Sequence, residues 1–97
     1  MTLDAVVRLL KSVSDESRLR LLAMCARGEF TVTEFVQIMR QSQPRVSRHL
    51  KILCDAGLLE RVREGNFVFY RLVNSAEIRS LTEQILAFIP ASDARAR

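Results

Sequence analysis

This chain of 97 residues has one histidine, two cysteines, one tyrosine and no tryptophan, with only three glycines and two prolines. A tetrahedral zinc site needs about four nitrogen, sulfur or oxygen ligands, so this residue set gives no reason to expect a metal centre. Cys25 and Cys54 lack Cys-x-x-Cys spacing, which excludes a zinc-ribbon pattern and offers no disulfide framework; both are expected to be small, buried and apolar in behaviour. Charge interrupts every apolar stretch short of the roughly 18 residues a membrane span needs, and no signal-type run opens the chain. A cytoplasmic protein without membrane contact is therefore expected. There is no glycine-rich phosphate loop and no grouping of nucleophile, base and orienting residue, so neither a cofactor nor catalysis is expected.

What the chain does have is apolar surface and localised positive charge. Hydrophobic residues make up 48% of it, enough for one core in a single domain spanning 1–97. The net charge of +4 is unevenly distributed. Between Arg40 and Arg71 stand seven basic residues (Arg40, Arg45, Arg48, Lys51, Arg61, Arg63, Arg71) against three acids (Asp55, Glu60, Glu64), and elsewhere the two signs balance. The whole excess, and with it the expectation of an anionic partner, lies in about a third of the chain.

Leu3, Val6, Val7, Leu10 and Val13 recur at helical spacing and predict a helix over about 2–13. Ser14-Asp15 offers an N-cap to a second helix with Glu16 in its first turn, running to about Ala26 and closed by Gly28. Apolar on nearly every side, this helix is expected to be central. Thr33 is placed to cap a short third helix carrying Phe35, Val36 and Met39. After Gln41-Ser42-Gln43, Ser42 caps a fourth helix that tolerates Pro44 in its first turn and buries Val46, Leu50 and Leu53, stopping near Gly57. Leu59–Glu64 and Phe67–Leu72 are β-prone runs joined by Gly65-Asn66, the signature of a hairpin. Asn74 with Glu77 suggests the cap of a last helix, about 75–89, striped by Ile78, Leu81, Ile85, Phe88 and Ile89. Ser92 or Asp93 could begin a further helix. The expected fold is mainly α with a small β-hairpin: about five helices plus a two-stranded wing, with a helix-turn-helix at about 33–57 and the wing at about 59–72.

With Val46, Leu50 and Leu53 inward, the 100° step per residue puts Arg48 on the opposite side of the fourth helix, flanked by Arg45, Gln41 and Asp55. Such a helix fits the major groove of duplex DNA, where arginine pairs with guanine, glutamine with adenine, and serine with base edges or phosphate. Ser42, Gln43, Arg45, Ser47 and Arg48 are the candidate contacts. His49 sits at the edge of this face, to touch phosphate or to pack as a neutral ring. A merely solvated charged face is the bland alternative; charge excess, helix order and hairpin coincide against it. In the wing, Arg61 and Arg63 alternate with Val62, and Arg71 on the other strand is expected to join them on one basic side for phosphate or the minor groove. Phe67, Phe69 and Tyr70 supply its apolar body. The outer helices, about 2–13 and 75–89, are expected to pair through Leu3, Val6, Val7, Leu10, Leu81, Ile85 and Phe88 in a homodimer on a pseudo-palindromic operator.

Four segments together resemble the ArsR/SmtB family of winged-helix repressors over nearly the whole chain: Ser14-Asp15-Glu16-Ser17-Arg18-Leu19-Arg20-Leu21-Leu22, Gln41-Ser42-Gln43-Pro44-Arg45-Val46-Ser47-Arg48-His49-Leu50, Ala56-Gly57-Leu58-Leu59, and Gly65-Asn66-Phe67-Val68-Phe69-Tyr70-Arg71-Leu72. The resemblance implies a dimer through the first and last helices, repression of a promoter, and release when a metal or other effector binds. Members that sense arsenic or cadmium carry a Cys-x-Cys pair in the third-helix region, where this chain reads Glu29-Phe30-Thr31-Val32-Thr33-Glu34. Members that sense zinc on the last helix use Asp, His and Glu, whereas Ala76–Ile89 has Glu77 and Glu83 and no histidine. Neither familiar metal site can be built, and the effector, a small organic molecule among the candidates, is left open. Some similar proteins continue into an S-adenosylmethionine-dependent methyltransferase, so one alternative is the DNA-binding and dimerising module of such a fusion. Another is a thiol redox-sensing repressor using Cys25 and Cys54.

Overall fold

A computed structural model describes residues 1–90, 92 and 93. The chain runs α1 (Leu3–Val13), α2 (Glu16–Cys25), β1 (Phe30–Thr31), α3 (Val32–Met39), α4 (Gln43–Asp55), β2 (Leu59–Glu64), β3 (Phe67–Leu72) and α5 (Ala76–Ala87). This is a winged helix-turn-helix. No helix of the described residues is long and apolar enough to cross a membrane.

A side-chain oxygen caps each helix start, satisfying one of the amide N–H groups the helix leaves unbonded. Thr2, Asp15, Ser42 and Ser75 accept from the N–H of Ala5, Arg18, Arg45 and Ile78. At α3 the cap is Thr31 and not Thr33, because Glu34 stands three residues beyond it: the Thr31 hydroxyl takes the Glu34 N–H while a Glu34 carboxylate oxygen takes the Thr31 N–H at 2.8 Å. Thr33 then lies inside the first turn. Likewise Ser75, not Asn74, caps α5, which ends at Ala87. Gly28 does not terminate α2; the helix closes at Ala26 in ordinary right-handed geometry. The helix expected from Ser92 or Asp93 would run into residues 94–97, outside the described residues.

The exit from α4 fixes where the wing begins. Gly57, at φ +83°, donates to the Cys54 carbonyl (3.0 Å) and Leu58 donates to the Leu53 carbonyl (3.1 Å), the paired bonds of a Schellman motif. Leu58 is thereby driven into the core, fully buried. The hairpin ends match those read from the sequence, with Glu64 opposite Phe67 across Gly65-Asn66. Only Gly65 takes a positive φ there, the pattern of a type II′ turn. The sheet has three strands rather than two, because β1 pairs antiparallel with β3 through Phe30↔Tyr70 and Thr31↔Phe69.

All five helices and the sheet feed one core. Leu9 and Val13 come from α1, Leu21, Leu22 and Cys25 from the central α2, Phe35 and Met39 from α3, Val46, Leu50 and Leu53 from α4, Leu59 and Leu72 from the base of the wing and Ile78 from α5. Phe35 packs between the tilted ring of Phe30 and the edge-on ring of Tyr70, joining α3 to the sheet.

Candidate nucleic-acid interface

Val46, Leu50 and Leu53 are fully buried, which locks the rotation of α4 and aims its other side at solvent. On that side Arg45 and Arg48 are exposed, and neither guanidinium has an ion-pair or hydrogen-bond partner among the described residues. Ser42, Gln43 and Ser47 line the N-terminal end, with Gln43 Nε2 lying 3.4 Å from Ser47 Oγ. Asp55, the one acid on the same azimuth, is held by Lys51 at 2.8 Å, which raises the pKa of the Lys51 ammonium. Arg40 extends this surface. It closes α3 in left-handed geometry (φ 55°, ψ 41°), exposed and without an ionic partner among the described residues, immediately before the turn into α4. Sequence reasoning counts its charge but gives it no role, since a left-handed arginine carries no local signal.

Two residues expected on or beside this face turn inward. His49 is only 14% exposed at its side chain; its Nδ1 lies 3.3 Å from Arg18 Nη1 and 4.0 Å from Asp15 Oδ2, both at the start of α2. A guanidinium can only donate, so Nδ1 is the acceptor of a neutral ring. Burial pushes the His49 pKa below its ordinary value; Asp15 opposes this, and Arg18, Arg45 and Arg48 reinforce it. Arg18 also donates to the Ser12 carbonyl at 2.6 Å, so α1, α2 and α4 meet at this point. Gln41 donates to Ser17 Oγ at 2.7 Å and leaves its own Oε1 buried. Polar contacts from α2 thus brace the turn before the reading helix, at Gln41, and the middle of the helix, at His49.

In the wing the expected basic side is corrected by the strand register. Arg61 pairs with Tyr70 and Arg63 with Val68, so both arginines share the face that carries Leu59 and Leu72. Arg71 pairs with Glu60 and points to the opposite face, because the side-chain period of a strand is two. There it donates to Glu60 at 2.7 Å and to Glu29 at 2.9 Å, bonds that raise its pKa and tie up its charge. Arg61 and Arg63 remain exposed.

Of the expected dimer stripe, Leu3 (79% exposed), Val6, Val7, Leu10 and Phe88 (88%) lie open, while Leu81 and Ile85 pack partly against the core of their own chain. Val6, Leu9 and Leu10 of α1 border a groove with Leu81 and Gln84 of α5. Both cysteines are free, Cys25 buried and Cys54 half-buried.

The family model described as bacterial regulatory protein, arsR family, matches residues 15–61. The biofilm growth-associated repressor of Agrobacterium fabrum is 35% identical over 88 residues, covering 91% of this chain and 74% of that protein. This chain belongs to the ArsR family. Another relative, the arsenic resistance transcriptional regulator ArsR1 of Pseudomonas putida, is 43% identical over 63 residues, or 64% of this chain and 49% of that one. The chain spans about half the length of that regulator and 57% of the arsenical resistance operon repressor of Escherichia coli. Among solved structures, a domain of Mycobacterium bovis described as a homodimeric winged helix-turn-helix DNA-binding domain superposes with a TM-score of 0.81 at 28% identity, covering 89% of this chain and 79% of that one.

The segment 29–34, for which the family resemblance implied a Cys-x-Cys pair in metal-sensing members, forms β1 and the start of α3 and carries Thr31 and Thr33. Among the described residues no three His, Cys, Asp or Glu side chains gather as a metal site. Cys25 is held as a thiol: burial, with a smaller contribution from Cys54, pushes its pKa up to about 12. Burial and the neighbouring Asp55 raise that of Cys54 as well, against the pull of Arg61 and Lys51.

Proposed function

We propose that this chain is the operator-binding domain of a transcriptional repressor, working as a homodimer on a pseudo-palindromic DNA site. The observation that carries it is the unpaired state of Arg45 and Arg48 on the outer side of α4. Other cations of the same basic window, Lys51 and Arg71, are tied to carboxylates, so the free charge concentrates where a reading helix needs it. Arg40 extends that charge across the turn, and Arg61 and Arg63 add a second basic edge on the wing, suited to phosphate or the minor groove. Ser42, Gln43 and Ser47 supply neutral hydrogen-bonding groups to base edges, and His49 acts from behind as a brace rather than as a phosphate ligand.

Dimerisation uses the α1 face of Leu3, Val6, Val7 and Leu10 together with Phe88, apolar surface that one chain leaves open; the homodimeric description of the Mycobacterium bovis domain supports the same use here. The effector is not a metal bound at the sites familiar in the family, because the required thiolates and histidine are not encoded. A thiol switch is the weaker alternative, since a thiol as buried as Cys25 is a poor nucleophile.

Gel-shift titration against duplexes selected from a random library, combined with sedimentation of the free protein, tests the proposal. A dimer at micromolar concentration and a specific complex whose affinity falls steeply with salt are expected. A monomer, or no duplex binding even at low salt, refutes it.

A further inference from the structure

Exposure rises along the wing from base to tip. Leu59 and Leu72 are buried, Val62, Val68 and Phe69 are partly covered, and Phe67, the first residue of β3, is 63% exposed. Phe67 is therefore dispensable to the core. It is nevertheless held in place: its ring leans on Phe69 at a centroid distance of 6.3 Å and an angle of 42°, and its backbone is fixed opposite Glu64 by the tight Gly65 turn. Phe67 and Phe69 share one face of the hairpin, and Arg61 and Arg63 share the other, as strand alternation requires. Arg63 Nε lies 3.5 Å from the Gly65 carbonyl, which keeps that guanidinium at the tip.

We propose that Phe67 is an apolar contact of the wing tip with the minor groove of duplex DNA, its ring packed against deoxyribose or a partly unstacked base step while Arg63 on the other face of the same tip meets phosphate. The inference rests on the DNA-binding function proposed above and adds to it a residue, Phe67, with a defined contact. The pairing of groups decides the occupant. A tip that bears a cation on one face and a braced aromatic ring on the other matches a groove whose rims are anionic and whose walls are sugar and base edges, and proteins that enter the minor groove commonly place an apolar wedge beside basic side chains. The two-residue turn ends the hairpin at Phe67, so a single side chain, and not the paired strands, is what reaches into a minor groove about 6 Å wide. Glu64 lies opposite Phe67 on the aromatic face and opposes close approach to phosphate there, so the ring is directed to the groove interior and the arginine to the rim.

The chain has no tryptophan, so Phe67→Trp places a single indole at the tip, excited selectively over Tyr70 at the red edge of its absorption. The probe is a duplex selected on the wild-type protein from a random library, with complex formation followed independently by anisotropy of labelled DNA. In the complex, emission of the introduced indole is expected to shift to the blue and to become shielded from acrylamide, and netropsin, which occupies the minor groove, is expected to reverse both changes. Phe67→Ala is expected to bind the same duplex at least fivefold more weakly with an unchanged melting temperature. If anisotropy reports a complex while indole emission and quenching stay as in the free protein, the wing-tip inference fails and the DNA-binding function stands. If the indole is already shielded in free protein in a concentration-dependent manner, the ring serves self-association and the inference also fails. If the wild-type protein forms no complex, the function itself fails.

Discussion

Replacing Arg48 by alanine removes a guanidinium whose direction is set by the buried side of its own helix. Val46, Leu50 and Leu53 are all fully buried, so α4 cannot rotate to bring another residue to that azimuth without exposing core. Arg48 is exposed and unpaired, which means the free protein loses no ion pair and little stability when it is truncated. A bidentate arginine–guanine contact is worth about 1–3 kcal/mol of discrimination. The symmetric dimer proposed above loses two such contacts, far enough apart to add, or about 2–6 kcal/mol. At about 1.4 kcal/mol per tenfold, that is a loss of roughly thirtyfold to twenty-thousandfold on the specific site. Binding to unrelated sequence should fall far less. The slope of log affinity against log salt separates base from phosphate contact, since each lost phosphate contact flattens it by about 0.9. Anisotropy titrations of wild type, Arg48→Ala and Arg48→Lys on selected and scrambled duplexes at several salt concentrations give all three quantities. Arg48→Lys should keep the charge and lose the discrimination, because an ammonium lacks the planar fork. An unchanged ratio of specific to nonspecific affinity in Arg48→Ala, with a flatter salt slope, would show that α4 touches only backbone there.

Four other outcomes follow from the same geometry. Arg63→Ala should weaken selected and scrambled duplexes alike and flatten the salt slope; a selective loss on the preferred duplex contradicts that assignment. Because burial lowers the pKa of His49 below the ordinary 6.5, the unfolded chain binds the proton first, so stability should decline as pH falls through and below 6.5 and stay level above it, and melting curves of His49→Gln should lack that component. Thr82 is fully buried on α5 with its hydroxyl unpartnered, so Thr82→Val should raise stability by about 1 kcal/mol in denaturant titrations; a loss of stability would mean the hydroxyl is satisfied after all. Zinc, cadmium or arsenite at low micromolar levels should leave duplex affinity unchanged. Stoichiometric metal binding by calorimetry that weakens the complex tenfold and disappears in Cys25→Ser or Cys54→Ser would overturn this.

The reading helix and the hairpin are legible in the sequence because each is specified locally. Three apolar residues at helical spacing define the inner side of α4, and a Gly-Asn turn between two β-prone runs sets the register that the structure displays. The same register, followed one step further, places Arg71 opposite Glu60 and off the face of Arg61 and Arg63; strand parity carries that information, and grouping charges of one sign hides it. β1 cannot be read, since two residues form a strand only where the folded chain brings β3 alongside. Nor can the inward turn of His49 and Gln41, because a helical wheel knows only its own axis, and these side chains answer to Asp15, Ser17 and Arg18 more than twenty residues earlier. Thr31 over Thr33 is decided by the spacing to Glu34, a local signal that the nearer threonine obscures.

Thr31 has two occupations at once: its backbone extends the sheet beside Phe69, and its hydroxyl starts α3. The wing is therefore welded to the helix-turn-helix at its entrance, as it already is at its base through Leu58. A lever built this way transmits rather than bends. In the homodimer proposed above, an effector that folded the wing aside within a protomer would have to break both joints, whereas swinging whole protomers about their outer helices changes the distance between the two reading helices and leaves both joints intact. The control point of that proposed homodimer is then the angle between its halves.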